Sequence, residues 1–205
     1  MAQITLINNT SENIRIAVFK KPYKAPSLKV VAWRIEALPN NGGNTSVPIP
    51  SNYEVYINYS LNPATRDDPY AGIKTAPINI DVQTAKFLVR EEPTNDKNAS
   101  VATLNRVFVD VVGNEIQIEN QASFGVWGHI MLDGQDVYPP QVITPGRTLM
   151  EDIRSPIYIA VIDEFIIRGN VVKIEELSSL PVEVLTGDVV SVTGDKWQGY
   201  SLTKK

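Results

Sequence analysis

The single histidine, His129, is the residue best suited to acid–base chemistry, and it lies in the apolar run 126–132. Alternation along a strand places Trp127 on the same face, so His129 could act as a general base or a metal ligand beside an aromatic platform. The chain has no cysteine and no second histidine for a zinc site, and it lacks a Gly-x-Ser-x-Gly elbow. We therefore favour a structural histidine and predict no enzyme activity, catalytic residue, metal or cofactor. An enzyme that uses His129 is the alternative that stays open.

Adjacent acidic residues occur at five places, including Asp67–Asp68. Neighbours on a strand point to opposite faces, so such a pair cannot flank one glycosidic bond. Asp67 and Asp68 lie in segment 61–76, the longest stretch without regular periodicity, and long loops often carry function. Tyrosines before and within this segment add aromatic recognition surface. The candidate ligand-binding residues are Tyr56, Asp67, Asp68, Tyr70, Trp127 and His129.

Composition excludes several classes of partner. The formal net charge is −4, and the sequence has neither a Lys/Arg-rich run nor a Gly-rich phosphate loop. We therefore expect no nucleic-acid binding and no nucleotide cofactor. No apolar run approaches the ~20 residues that span a bilayer, and residues 1–5 do not resemble a secretory signal. We expect a cytoplasmic protein without a transmembrane segment, with export by another route left open.

Period-two alternation of apolar residues dominates the chain, as in Ile14, Ile16 and Val18. Clusters of Asn, Gly, Asp and Ser separate the alternating runs, which is typical of strands joined by turns. Only 148–153 and 174–180 favour short helices. The sequence therefore predicts an all-β fold. Charged side chains at Arg15, Lys86, Arg106 and Lys173 are expected to protect sheet edges.

An internal repeat relates the start of the chain to the region after residue 113. The run 4–11 parallels 116–123, and the alternating runs 53–57 and 157–161 also match, with Gly43 aligned to Gly146. The agreeing order of these elements predicts a duplication. We expect two tandem, similar β-sandwich-like units, over residues 1–112 and 113–205.

Three short motifs carry a family resemblance. Residues 18–22 read Val-Phe-Lys-Lys-Pro, Ala32-Trp33 follows, and an aromatic strand ends at Tyr59-Ser60. In these motifs the first third of the chain resembles the rhizosphere-expressed RhiA-like proteins. The resemblance implies a bacterial β protein without known enzymology and supplies no catalytic residue.

These observations favour a non-catalytic interaction or self-assembling β protein that acts through loops and strand edges. Its expected partner is another protein or a second copy of the chain. The alternative is a toxin-like module that binds a carbohydrate or membrane surface through Tyr56, Tyr70 and segment 61–76. Tyrosine at exposed positions suits either use.

Overall fold

A computed structural model describes residues 3–22, 29–80, 85–94, 100–107, 114–153 and 156–205. The first strands are β1 (Gln3–Asn8), β2 (Ile14–Lys20), β3 (Lys29–Val31), β4 (Arg34–Leu38) and β5 (Gly43–Pro48). The middle strands are β6 (Tyr53–Tyr59), β7 (Ile73–Lys74), β8 (Ile78–Ile80), β9 (Ala85–Pro93), β10 (Ser100–Val107), β11 (Glu115–Asn120), β12 (Val126–Leu132), β13 (Gln135–Asp136), β14 (Gln141–Ile143) and β15 (Thr148–Asp152). The last are β16 (Ile157–Ile162), β17 (Val171–Lys173), β18 (Val182–Val184), β19 (Val189–Asp195) and β20 (Gly199–Lys204).

These strands confirm the all-β prediction, and the 3-10 turn Ile174–Glu176 is the one helical element in the described ranges. The predicted helix over 148–153 is wrong, because this segment forms strand β15, paired antiparallel with β11. Helical propensity in its Leu-Met-Glu stretch yields to pairing with a buried neighbour strand. A search of the described residues for a helix that could cross a membrane finds none.

The chain forms two compact units. Unit 1 comprises Met1–Ser51, Gln135–Pro139 and Ser155–Lys205, and unit 2 comprises Asn52–Gly134 and Pro140–Arg154. Unit 1 thus combines both ends of the chain, and unit 2 is built from its middle. The predicted boundary between segments 1–112 and 113–205 falls at residues outside the described ranges, so this division stays a prediction.

Unit 1 contains two four-stranded sheets, in the orders β20-β19-β1-β5 and β18-β16-β2-β4. Strand β1 runs parallel to β19, and the other pairs involving β1 and β2 are antiparallel. A two-stranded sheet, β17-β3, packs residues such as Val30 and Val172 against Ala17 and Phe19 of β2. The β2–β16 pair therefore buries apolar side chains on both faces, since Ile16 and Val161 are also buried.

Unit 2 has the corresponding order β10-β9-β11-β15 in one sheet. In its other sheet β12 pairs with β6 and β14, and β6 pairs with β8 and β7. Strand β11 is parallel to β9, as β1 is to β19. The core is again apolar, with Val55, Phe87 and Ile118 fully buried.

The two units share strand order and register. The first residue of β2, Ile14, pairs with Leu38, and the first residue of β12, Val126, pairs with Ile143. The fourth residues continue the match, because Ala17 pairs with Ala160 and His129 pairs with Tyr56. Equivalent positions in the two units can therefore be assigned one by one.

A buried asparagine ends each of the equivalent strands β1 and β11. The Asn8 Nδ2 donates to the Leu38 and Glu12 carbonyls at 3.1 and 2.8 Å, and its Oδ1 accepts from Thr10 N–H at 3.0 Å. The Asn120 side chain repeats this pattern with Ile143, Phe124 and Ala122, at 2.7, 2.8 and 2.9 Å. Each carboxamide thus ties a β-strand end to the turn that follows and to a strand of the other sheet.

The glycines of the predicted repeat are offset by one residue. Gly42 N–H donates to the Asn8 carbonyl, and Gly146 N–H donates to the Asn120 carbonyl. Both glycines have positive φ, which L side chains rarely adopt. Gly42, rather than Gly43, is therefore the equivalent of Gly146.

The predicted edge charges occupy different places in the sheets. Arg15 and Lys86 lie on the central strands β2 and β9, so their assignment to sheet edges is wrong. Arg106 lies on β10, a terminal strand of its sheet, as predicted. Lys173 lies on β17, which pairs with β3. Alternation alone could not distinguish a central strand from a terminal one.

Candidate functional site

All six predicted ligand-binding residues belong to unit 2. Tyr56 lies on β6, Trp127 and His129 lie on β12, and the other three lie in the β6–β7 connection, residues 60–72. We call this connection the 60–72 loop. Strand pairing brings Tyr56 opposite His129, and the loop packs onto the same face. The structure therefore brings these residues into one region.

The imidazole of His129 is completely buried and makes both hydrogen bonds and aromatic contacts. Its Nε2 lies 2.6 Å from Asn58 Oδ1 and 2.9 Å from the Pro69 carbonyl oxygen. The Asn58 Nδ2 donates to the Ala71 carbonyl at 2.8 Å, which fixes the amide with Oδ1 toward the imidazole. Both neighbours of Nε2 are acceptors, so this nitrogen carries the proton and donates it. It is therefore not available as the base that accepts a substrate proton.

Two tyrosines also contact the imidazole. The Tyr56 ring stacks on it, with centroids 4.2 Å apart and an interplanar angle of 13°. The Tyr70 ring is tilted by 53° at 5.6 Å. Tyr56 is buried, whereas Tyr70 is 46% exposed at the surface of the loop. His129 thus fastens the 60–72 loop to the sheet.

Short-range hydrogen bonds hold the loop itself. The Asp68 Oδ1 accepts from Tyr70 N–H at 2.8 Å, and Asn62 Oδ1 accepts from Ala64 N–H at 3.0 Å. The hydroxyls of Ser60 and Thr65 lie 2.7 Å apart. Asp68 therefore shapes a turn, while Asp67 is exposed beside it.

Trp127 borders a cavity of about 240 Å³, which we call the Trp127 cavity. Its lining residues are Arg66, Asp67, Gly125, Val126, Trp127, Val142 and Thr144. The indole Nε1 donates to the Arg66 carbonyl at 3.0 Å, so the loop also holds the orientation of this ring. Of the six predicted residues, Asp67 and Trp127 line this cavity.

A larger groove lies at the corresponding end of unit 1, with a volume of about 890 Å³. We call it the unit 1 groove. Its lining residues are Glu12, Asn13, Ile14, Arg15, Ala37, Leu38, Pro39, Val161, Ile162, Asp163, Glu164, Ser178, Lys196, Gly199 and Tyr200. By register, Ile14 and Arg15 are the equivalents of Val126 and Trp127 at the other cavity. The two cavities thus occupy equivalent places in the two units.

Charged and hydroxyl groups organise the unit 1 groove. The Glu12 carboxylate accepts from the Tyr200 hydroxyl at 3.3 Å and from Lys196 N–H at 3.4 Å. Burial, followed by the charge of Glu12, raises the pKa of Tyr200 above its ordinary value. The guanidinium of Arg15 donates to the Glu164 carbonyl. Acidic and basic groups therefore both line the groove.

Two exposed aromatic side chains stand on the loops that wall this groove. Trp197 is 84% exposed and follows the lining residue Lys196, whose Nζ lies 5.1 Å from the indole centroid. Phe165 is 81% exposed and follows the lining residue Glu164. We call this pair the aromatic rim.

The same kind of side-chain-to-backbone hydrogen bond fixes the turn that carries each rim residue. The Asp195 Oδ1 accepts from Trp197 N–H at 2.7 Å, and the Asp163 Oδ1 accepts from Phe165 N–H at 3.1 Å. An Asp side chain that bonds the amide two residues later fixes a turn. The sequence signal for these loops is the spacing Asp-x-aromatic at 163–165 and 195–197, which was not identified from the sequence. The groove itself was not predicted, because its lining comes from segments far apart in the chain that the fold brings together.

Other chemical candidates are sparse. The described residues contain no group of three or more His, Asp or Glu side chains placed to hold a metal ion. Comparisons with protein-family models, curated proteins and solved structures found no match. The candidate sites therefore rest on the geometry of the two cavities and of the aromatic rim.

Proposed function

We propose that this chain is a non-catalytic interaction protein that binds a protein partner at the unit 1 groove and its aromatic rim. The observation that supports this most directly is the exposure of Trp197 and Phe165, at 84% and 81%. Large aromatic side chains are usually buried, and exposed ones often belong to interaction sites. Trp is also among the residues that contribute most to protein interfaces.

The charges of the groove supply the specificity that such an interface needs. Glu12, Asp163 and Glu164 are acidic, and Arg15 and Lys196 are basic. A lining of mixed charge selects a partner of complementary charge and penalises a mismatched one. The Asp-fixed turns hold the rim backbone in place before binding, which reduces the ordering cost of association.

Strand β20 extends this surface. It is a terminal strand of its sheet, and its residue Tyr200 lines the groove. The outward backbone groups of a terminal strand can pair with a strand of another chain. A partner that occupies the groove is therefore expected to contact β20.

The state of His129 supports a non-catalytic role. Its Nε2 already donates to two oxygens in a buried setting, and the imidazole supports a loop. A general base needs a ring nitrogen within reach of the proton that it takes, and the His129 side chain is completely buried. We therefore assign His129 a positioning role in unit 2.

The test compares a rim variant with a matched control. Phe165→Ala/Trp197→Ala removes both aromatic rings, whereas Leu185→Ala removes a side chain that is 60% exposed at the opposite end of β19. Sedimentation velocity over a range of concentrations, together with copurification of the full chain, measures self-association and heterologous binding. We expect the rim variant to weaken binding by about 30-fold or more, as hot-spot residues do, and Leu185→Ala to behave like the wild type. A wild-type chain that is a strict monomer without a stoichiometric partner would overturn the proposal.

We also propose that the two units arose by internal duplication and that each is a β-sandwich. The equal strand orders, the equal registers and the Asn8–Asn120 equivalence support this. In this account unit 2 is a circular permutation of unit 1. The strands of unit 2 occur in the chain in the order β6, β8, β9, β10, β11, β12, β14, β15, and their counterparts in unit 1 are β16, β18, β19, β20, β1, β2, β4, β5. The resemblance to RhiA-like proteins and the cytoplasmic location stay predictions.

A further inference from the structure

The Trp127 cavity has an indole on one side and three polar side chains around it. The hydrogen bond to the Arg66 carbonyl fixes the indole, and Val142 lies opposite Trp127 on the neighbouring strand β14. The polar side chains belong to Arg66, Asp67 and Thr144. Within the described part of the chain, none of these three side chains makes a hydrogen bond or ion pair. Their donors and acceptors are therefore open to a ligand.

We propose that this cavity binds one pyranose residue of a glycan. A pyranose has an apolar face of C–H groups and an edge of hydroxyls. The indole and the exposed Val142 match the apolar face, while the Asp67 carboxylate, the Arg66 guanidinium and the Thr144 hydroxyl match the hydroxyl edge.

The size of the cavity favours a single sugar residue. Its volume of about 240 Å³ is below the range of about 300–1,000 Å³ that is typical for drug-sized ligands. The presence of Arg66 beside Asp67 disfavours a cationic ligand, which an indole with a lone carboxylate would otherwise suit. A neutral, polyhydroxylated ligand uses both charges.

Gly125 offers a way to block the cavity without removing a binding group. It lines the cavity, and a Cβ added there would meet Val142 Cγ1 at 3.8 Å and the Ile143 carbonyl oxygen at 4.0 Å, both ordinary contacts. The site thus has room for a Cβ, and Gly125→Val adds apolar volume to the lining without removing Trp127, Arg66 or Asp67.

Saturation-transfer difference NMR on the full chain tests this proposal with a panel of methyl glycosides of glucose, galactose, mannose, N-acetylglucosamine and fucose. We expect at least one to bind, with a dissociation constant of about 1 mM. Gly125→Val and Asp67→Asn should each weaken binding by about tenfold or more. Asp67 is exposed, so its substitution is not expected to disturb the fold.

Phe165→Ala/Trp197→Ala serves as the control, because it removes the aromatic rim of unit 1 and leaves the Trp127 cavity intact. Sugar binding that persists in this variant separates the present proposal from the proposed function. Absence of a signal from every glycoside at 20 mM, or a signal that Gly125→Val and Asp67→Asn leave unchanged, would overturn the pyranose site.

Discussion

The two units bury the outer face of an equivalent strand pair in different ways. In unit 1 the β2–β16 pair presents Ala17 and Ala160 to an apolar cluster that includes Val30 of β3 and Val172 of β17. In unit 2 the equivalent pair is His129 and Tyr56, and the cover is the 60–72 loop. An apolar face is buried by another apolar sheet, whereas a polar face needs a cover that satisfies its hydrogen bonds.

The two units also differ in the size of the cavity beside this strand pair. At the equivalent strand position, Arg15 of unit 1 reaches the Glu164 carbonyl, and Trp127 of unit 2 reaches the Arg66 carbonyl. The groove beside Arg15 measures about 890 Å³, and the cavity beside Trp127 about 240 Å³. Equivalent strands thus border two cavities of different size and lining.

The largest expected effects come from the shared framework. Asn8→Ala and Asn120→Ala should each lower the free energy of unfolding by about 3–5 kcal/mol, since each unsatisfied buried group costs about 1–3 kcal/mol. Urea unfolding measures both. The exposed Asn79→Ala is the control and should stay within about 0.5 kcal/mol of the wild type. A cost below about 1 kcal/mol for either buried residue would break the equivalence of the two units.

Much of this framework was visible in the sequence. Period-two alternation predicted the strands, and the match of 4–11 with 116–123 predicted the equivalence that Asn8 and Asn120 show. Alternation does not specify which strands pair, so the combination of both chain ends in unit 1 was not predicted. The candidate residues Tyr56, Tyr70 and His129 were predicted, but their role in holding the loop depends on the Asn58 and Pro69 oxygens. Those contacts are set by the fold of the loop.

Replacing His129 should lower stability by a smaller amount and loosen the 60–72 loop of unit 2. His129→Phe keeps a ring against Tyr56 but leaves the Asn58 Oδ1 and the Pro69 carbonyl without this donor. We expect a loss of about 2–3 kcal/mol and faster hydrogen exchange in the 60–72 loop. Met131→Leu, on the same face of β12, is the volume-conserving control, with an expected cost below about 1.5 kcal/mol. Unchanged exchange in the loop would show that His129 does not hold it.

Alkaline pH should act on one of two equivalent positions, because Tyr53 of unit 2 is ionisable and its counterpart in unit 1 is not. Burial, followed by the charge of Asp152, raises the pKa of Tyr53 in unit 2, and its hydroxyl donates to the Ile153 carbonyl at 3.1 Å. The equivalent residue in unit 1 is Ile157. Because the folded-state pKa is raised, this contribution is present below the unfolded-state pKa of about 10 and is lost as pH rises above it.

Urea midpoints between pH 8 and 11 test this expectation. Stability of the wild type should fall above pH 10, and Tyr53→Phe should show a decline that is smaller by about 1 kcal/mol at pH 11, which corresponds to about one pH unit of linkage. Parallel curves for the two proteins would contradict the assignment to Tyr53.

The smallest effect concerns a surface ion pair found in unit 2. Lys86 Nζ lies 2.7 Å from Glu119 Oε2, and both side chains are about one-quarter exposed. The equivalent positions in unit 1 are Val189 and Ile7. Glu119→Gln should cost about 0.5 kcal/mol at low salt, and the difference should vanish in 1 M NaCl because salt screens the pair. A cost that persists at high salt would indicate a packing effect.

Site-specific photo-crosslinking tests the proposed interaction most directly. The photoreactive p-benzoylphenylalanine would replace Trp197, Phe165 or Leu185, one at a time, in the full chain. We predict that positions 197 and 165 crosslink to the same partner, either a second copy or one other protein, and that position 185 does not. Equal crosslinking at all three positions, or none at 197 and 165, would contradict a partner site at the aromatic rim.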